Sequence, residues 1–160
     1  MAHATSFPSL TILYLNGNRL SEEGAKAVAQ ATSFPHLTEL DLGSNKIGKD
    51  GAQALASATS FPRLTNLNLS LNRLGQKGAV ALAHASAFPQ LAELNLGSNR
   101  IGEKGARALA EATAFPHLTT LLLYGNGVQG PGLQALLDSP TFPRMTEIQG
   151  DERWRRRAAE

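Results

Sequence analysis

The residues most suggestive of chemistry are three acids, Glu39, Asp41 and Glu93, interleaved with Asn66, Asn68 and Asn95. Carboxylate pairs are the usual tools of acid–base and glycosidic chemistry. His3, His36, His84 and His117 are candidates for metal binding or proton transfer. The hexapeptide Gly125-Asn126-Gly127-Val128-Gln129-Gly130 spells G-x-G-x-x-G behind a strand-like Leu121-Leu122-Leu123-Tyr124. Glu147 stands about where a ribose-binding acid would follow that fingerprint. A cation series, Arg19, Lys46, Arg73 and Arg100, could track phosphates.

Spacing decides among these. Asn18, Asn45, Asn72, Asn99 and Asn126 recur every 27 residues, each closing the pattern L-x-x-L-x-L-x-x-N. The stretch Leu37-Thr38-Glu39-Leu40-Asp41-Leu42-Gly43-Ser44-Asn45 is typical. A fixed period in this range marks a repeat architecture. In register, the hexapeptide aligns with Ser98-Asn99-Arg100-Ile101-Gly102-Glu103, which keeps none of its three glycines. It is therefore the repeat loop, and no dinucleotide or other cofactor is expected. His3 and His84 share one repeat slot and His36 and His117 another, each pair three repeats apart. Three repeats span at least ~14 Å, beyond shared metal coordination. Ser44 and Ser98 are turn residues, so no Ser-His-Asp set forms, and nothing foreshadows a pocket closed over Glu39 and Glu93. No catalytic, cofactor or metal residue is assigned, and the chain is read as not an enzyme.

The elements behind this spacing divide each unit in two. Alternation such as Leu40-Asp41-Leu42 predicts a short strand with one buried face. Ala52, Leu55, Ala56 and Thr59 fall on one helical face. A helix between successive strands makes the strands parallel. Ser21, Gly48, Gly75 and Gly102 occupy a plausible helix N-cap slot, with Glu22 and Glu23 suited to the first turn. A second glycine, at 24, 51, 78, 105 and 132, suggests close backbone packing without positive φ. Each helix should stop before Phe-Pro, since proline disfavours α geometry in the residue before it. Phe34, Phe61, Phe88 and Phe115 then plug the bottom of the core. Strands stack at ~4.8 Å and helices at ~8–10 Å, so the stack bends with its sheet inside.

Residues 1–149 read as one repeat domain: a partial first unit, five full repeats and a truncated sixth beginning at Met145 and Ile148. Residues 150–160 are a cap or tail, with Trp154 shielding the last repeat. Of 160 residues, 42% are apolar, and the net charge is only +2. That is too weak for a nucleic-acid or membrane polycation, and no apolar run approaches the ~20 residues of a membrane span. The absence of cysteine excludes disulfides and favours a reducing, intracellular (cytoplasmic) setting or delivery as an effector. No secretory signal is visible at the N-terminus.

These residues resemble the ribonuclease-inhibitor-like class of leucine-rich repeats. The resemblance rests on the L-x-x-L-x-L-x-x-N pattern, an apolar residue two further on (Leu20, Ile47, Leu74, Ile101, Val128), then Gly-Ala and an Ala/Leu helix. It implies an α/β solenoid, curved, with parallel strands on the concave face and helices on the convex face. It also implies asparagine side chains bonded to backbone between neighbouring turns, and a role in protein–protein recognition.

On that scaffold Glu39, Asp41 and Glu93 face the concavity beside Asn66, Asn68 and Asn95. Ile12 and Tyr14 flank them at one end, Leu122 and Tyr124 at the other, with Leu71 between. Exposed aromatic and aliphatic side chains around a polar centre suit a protein partner. These residues are the expected partner-binding set; nucleic acid and membrane are not expected partners. The competing expectation is a structural element: the open N-terminal end stacking on another copy, or a fragment of a larger receptor or effector.

Overall fold

A computed structural model describes residues 7–31 and 34–151. Of the expected cap or tail at residues 150–160, residues 152–160, Trp154 among them, lie outside the described residues, as does His3. Six three-residue strands alternate with five helices. The strands are β1 (Ile12–Tyr14), β2 (Glu39–Asp41), β3 (Asn66–Asn68), β4 (Glu93–Asn95), β5 (Thr120–Leu122) and β6 (Glu147–Gln149). The helices are α1 (Ser21–Gln30), α2 (Gly48–Ala56), α3 (Gly75–Ala83), α4 (Gly102–Ala110) and α5 (Gly130–Leu137). One sheet runs in the order β1 to β6, every pair parallel and in register at the same repeat position. The chain is thus an α/β solenoid of strand–turn–helix repeats. A β6 strand forms even though Gly150 stands where the third leucine would be, because Ile148 still buries its side chain.

Each repeat is fastened to the one before it by its asparagine. Asn45 Nδ2 donates to the carbonyls of Leu15, Leu42 and Gly43, while its Oδ1 accepts from the N–H groups of Asn18 and Leu20. Asn72, Asn99 and Asn126 repeat this set one unit further on. All four are buried with their polar atoms satisfied, as burial of an amide requires. The exposed Asn18 side chain donates to the carbonyls of Leu15 and Asn16, both in its own turn.

The turn around each asparagine enters left-handed φ three times per repeat in the first four units. In the fourth, Ser98 (φ 56°), Arg100 (φ 61°) and Gly102 (φ 63°) do so. This corrects the expected N-cap: Ser21 and its counterparts make no side-chain cap. The N–H at that slot donates instead to the next asparagine's own carbonyl, as from Gly48 to Asn72 at 2.9 Å. The slot has positive φ in all four units and so selects for residues that tolerate it, hence glycine in three of the four.

The second glycine of each unit packs as expected. A Cβ at Gly51 would lie 2.9 Å from Ala25 Cβ and 2.4 Å from Ile47 Cγ2, so helices α1 and α2 touch through their small residues. Phe61, Phe88 and Phe115 are fully buried, with Phe61 and Phe88 stacked at 6.3 Å between centroids. Phe34 is only partly buried, and Phe142 continues the row in the last unit. The helices stop earlier than the Phe-Pro pairs. Ser57 Oγ bonds back to the Gln53 carbonyl, and the N–H of Ala58 takes the tighter bond to Leu55. Thr59 therefore lies beyond α2 rather than on its buried face.

A second ladder had not been expected. The Thr38, Thr65, Thr119 and Thr146 hydroxyls each donate to the carbonyl one repeat earlier at 3.0–3.1 Å. Alanine at position 92 interrupts it, leaving the Thr65 carbonyl with the Ala92 and Glu93 N–H groups alone.

Two stability outcomes follow. Asn72→Ala orphans two buried N–H groups and should cost about 3 kcal/mol or more in urea unfolding, whereas Asn18→Ala should cost about 1 kcal/mol or less. Ala92→Thr restores the missing hydroxyl bond and should raise stability by about 0.5–1 kcal/mol.

Candidate interaction surface

Parallel register turns the outward strand positions into rows that cross the sheet. The first row is Ile12, Glu39, Asn66, Glu93, Thr120 and Glu147; the second is Tyr14, Asp41, Asn68, Asn95, Leu122 and Gln149. Between β2 and β5 they line a shallow hollow of about 200 Å³, whose walls include Glu39, Asp41, Asn66, Asn68, Glu93 and Asn95. So the polar residues singled out in the sequence converge on one face. Leu122 and Thr120 close its far side.

The remaining singled-out residues sit around this hollow. Ile12 and Tyr14 stand on β1, 46% and 59% exposed. Tyr124 lies on the turn after β5, where its ring covers Gly97; a Cβ there would fall 2.3 Å from the ring. Leu71 is on the turn beyond β3, 56% exposed and at φ 58°, a conformation that serine or glycine occupies in the other repeats. Thr120, Glu147 and Gln149, outside the set expected from sequence, complete the two rows. Register alone could have found Glu147, which holds the slot of Glu39 and Glu93.

Hydrogen bonds order the face. Tyr14 Oη donates to Glu39 Oε1 at 2.8 Å, and Asn66 Nδ2 to Glu93 Oε2 at 2.7 Å. Asn95 Nδ2 donates to Tyr124 Oη at 3.3 Å. In the second row Asp41, Asn68 and Asn95 each accept from the N–H two residues ahead, at Gly43, Ser70 and Gly97. These side chains therefore shape the turn as well as the surface.

Charge is divided by position. The two rows carry four carboxylates, Glu39, Asp41, Glu93 and Glu147, and no lysine or arginine. Arg19, Lys46, Arg73 and Arg100 stand on the turns beyond the strand ends, all exposed. Among the described residues the ion pairs are Lys26 with Glu22 and Glu23, and Arg107 with Glu103, so none engages these turn cations.

The other candidate chemistries resolve into scaffold. Gly125 and Gly127 have the left-handed φ of Ser98 and Arg100, which makes the glycine hexapeptide the ordinary repeat turn. Its N–H groups at Gly125 and Gly127 donate to the Asp151 carboxylate. Among the described residues, no three His, Asp or Glu side chains gather as a metal site.

The Tyr14–Glu39 bond is directly testable. Donation to Glu39, with lesser contributions from desolvation and the nearby carboxylate charges, raises the Tyr14 phenol above its ordinary value. The bond is intact below the ordinary tyrosine range and is lost as pH rises through the elevated value. In an ultraviolet pH titration, Glu39→Gln should move the Tyr14 transition to lower pH.

A search of curated proteins finds no match. A family model described as Leucine Rich repeat matches residues 8–29, 35–56, 63–83, 91–110 and 116–137. Those five matches cover well over half of the chain and coincide with the five strand–turn–helix units, so the chain belongs to the leucine-rich-repeat family.

Proposed function

We propose that this chain is a non-catalytic binding module that recognises a partner protein through the strand face of its solenoid. Leucine-rich repeats generally mediate protein–protein interaction. The observation that carries the reading here is the flanking of a polar hollow by exposed Ile12, Tyr14 and Tyr124. Large apolar and aromatic side chains left in water beside ordered polar groups suit a buried, desolvated contact. The 27-residue unit with a helix in every repeat is compatible with the ribonuclease-inhibitor-like class, in which the strand face is concave. No helix among the described residues is long and apolar enough to cross a membrane, and the lack of cysteine supports an intracellular setting.

A second reading, end-to-end assembly, has its own observation. At the N-terminal end Phe7 is 58% exposed, and Leu13 and Leu15 are only half-buried where Leu40 and Leu42 are fully covered.

Two measurements separate the readings. Combined Tyr14→Ala, Glu39→Ala, Glu93→Ala and Tyr124→Ala changes touch no buried side chain and should abolish partner capture while leaving the unfolding midpoint nearly unchanged. An unaltered set of captured partners would reject the strand face. Sedimentation velocity should return a monomer across a wide concentration range; concentration-dependent growth would favour assembly.

A further inference from the structure

Resting on the strand-face reading, we infer that the partner presents a basic segment, extended across the strands, to the first row of the sheet. Glu39, Glu93 and Glu147 occupy that row on β2, β4 and β6, alternating with the uncharged Asn66 and Thr120. Strands lie ~4.8 Å apart, so the three carboxylates recur about every 9.6 Å across the sheet. A segment in the extended polyproline II conformation advances ~3.1 Å per residue with about three residues per turn, so every third side chain returns to one face at about that spacing. Lysine or arginine at every third position therefore meets one glutamate after another, and about eight residues cross the sheet from β1 to β6.

Two further features favour this occupant. Tyr14, held by its bond to Glu39, offers an exposed ring to a cationic side chain beside the carboxylate. Arg19, Lys46, Arg73 and Arg100 lie beyond the opposite ends of the strands from the first row. They repel a basic segment from the turns and confine it to the glutamate row. An acidic segment meets four carboxylates on this face and no cation, so like charge excludes it.

The test uses labelled nonapeptides read by fluorescence anisotropy against the full chain. Three peptides share the same apolar end residues and carry lysine, glutamine or aspartate at every third position. The lysine peptide should bind at least about tenfold more tightly than the glutamine peptide, weaken with added salt, and lose that advantage when Glu39→Gln, Glu93→Gln and Glu147→Gln are combined. The aspartate peptide should bind least. If the glutamine peptide binds as well as the lysine peptide and Tyr14→Ala with Tyr124→Ala abolishes both, the strand face survives and the basic partner is wrong. If the lysine peptide binds but none of these substitutions alters it, both readings fall. No detectable binding of the lysine peptide also overturns the proposal.

Discussion

A buried primary amide has two donors and an acceptor to satisfy, and it can do so only where main-chain groups converge on it. Asn45 meets that demand by reaching into two turns at once: two carbonyls of its own turn, one carbonyl of the preceding turn, and two N–H groups of the preceding turn. The geometry of neighbouring repeats is thereby fixed to within hydrogen-bond tolerance. Strand register, the left-handed turn residues and the alignment of the outward rows all depend on this one side chain. Leucine burial supplies the bulk driving force, but it is non-directional and could not by itself place Glu39 level with Asn66.

That constraint explains which features could be read directly from sequence. Leu37, Leu40, Leu42 and Asn45 repeat because each repeat poses the same packing problem. The fold, the parallel strands and the phenylalanine row were therefore legible from spacing alone. The close-packed glycine was legible too, since a glycine in every unit without a turn requirement implies contact. The helix start differs because Ser21, a good cap by residue type, already lies inside the helix at φ 59° with Leu20 at the cap position, and its hydroxyl makes no cap bond. The helices do end before Phe-Pro, as the proline implies, but Thr59 lies past the end of α2, because apolar periodicity does not encode where the last turn stops.

The surface was legible in a different way. The outward residues could be named, since strand alternation assigns them to a face. Their mutual bonds could not, because Tyr14 with Glu39 and Asn66 with Glu93 pair across repeats through flexible side chains. Nor could the double duty of Asp41, Asn68 and Asn95, each of which both faces outward and braces a turn. Glu147 was missed for a simpler reason: the sixth unit departs from the motif after Ile148, yet its strand still forms and carries the glutamate into the row.

The asparagine bonds join each unit only to its neighbour, so any whole number of 27-residue units could be added or removed with every such bond remade. The outward row does not share that indifference. Its carboxylates alternate with neutral residues, and the second and fourth units, which bear Glu39 and Glu93, also share Gly43 with Gly97 and Ile47 with Ile101, where the first and third carry Leu20 and Leu74. Inserting one unit would put two glutamates or two neutral residues on adjacent strands. Inserting two would extend the pattern unbroken. For the scaffold the natural increment of growth is one repeat; for the surface it is a pair.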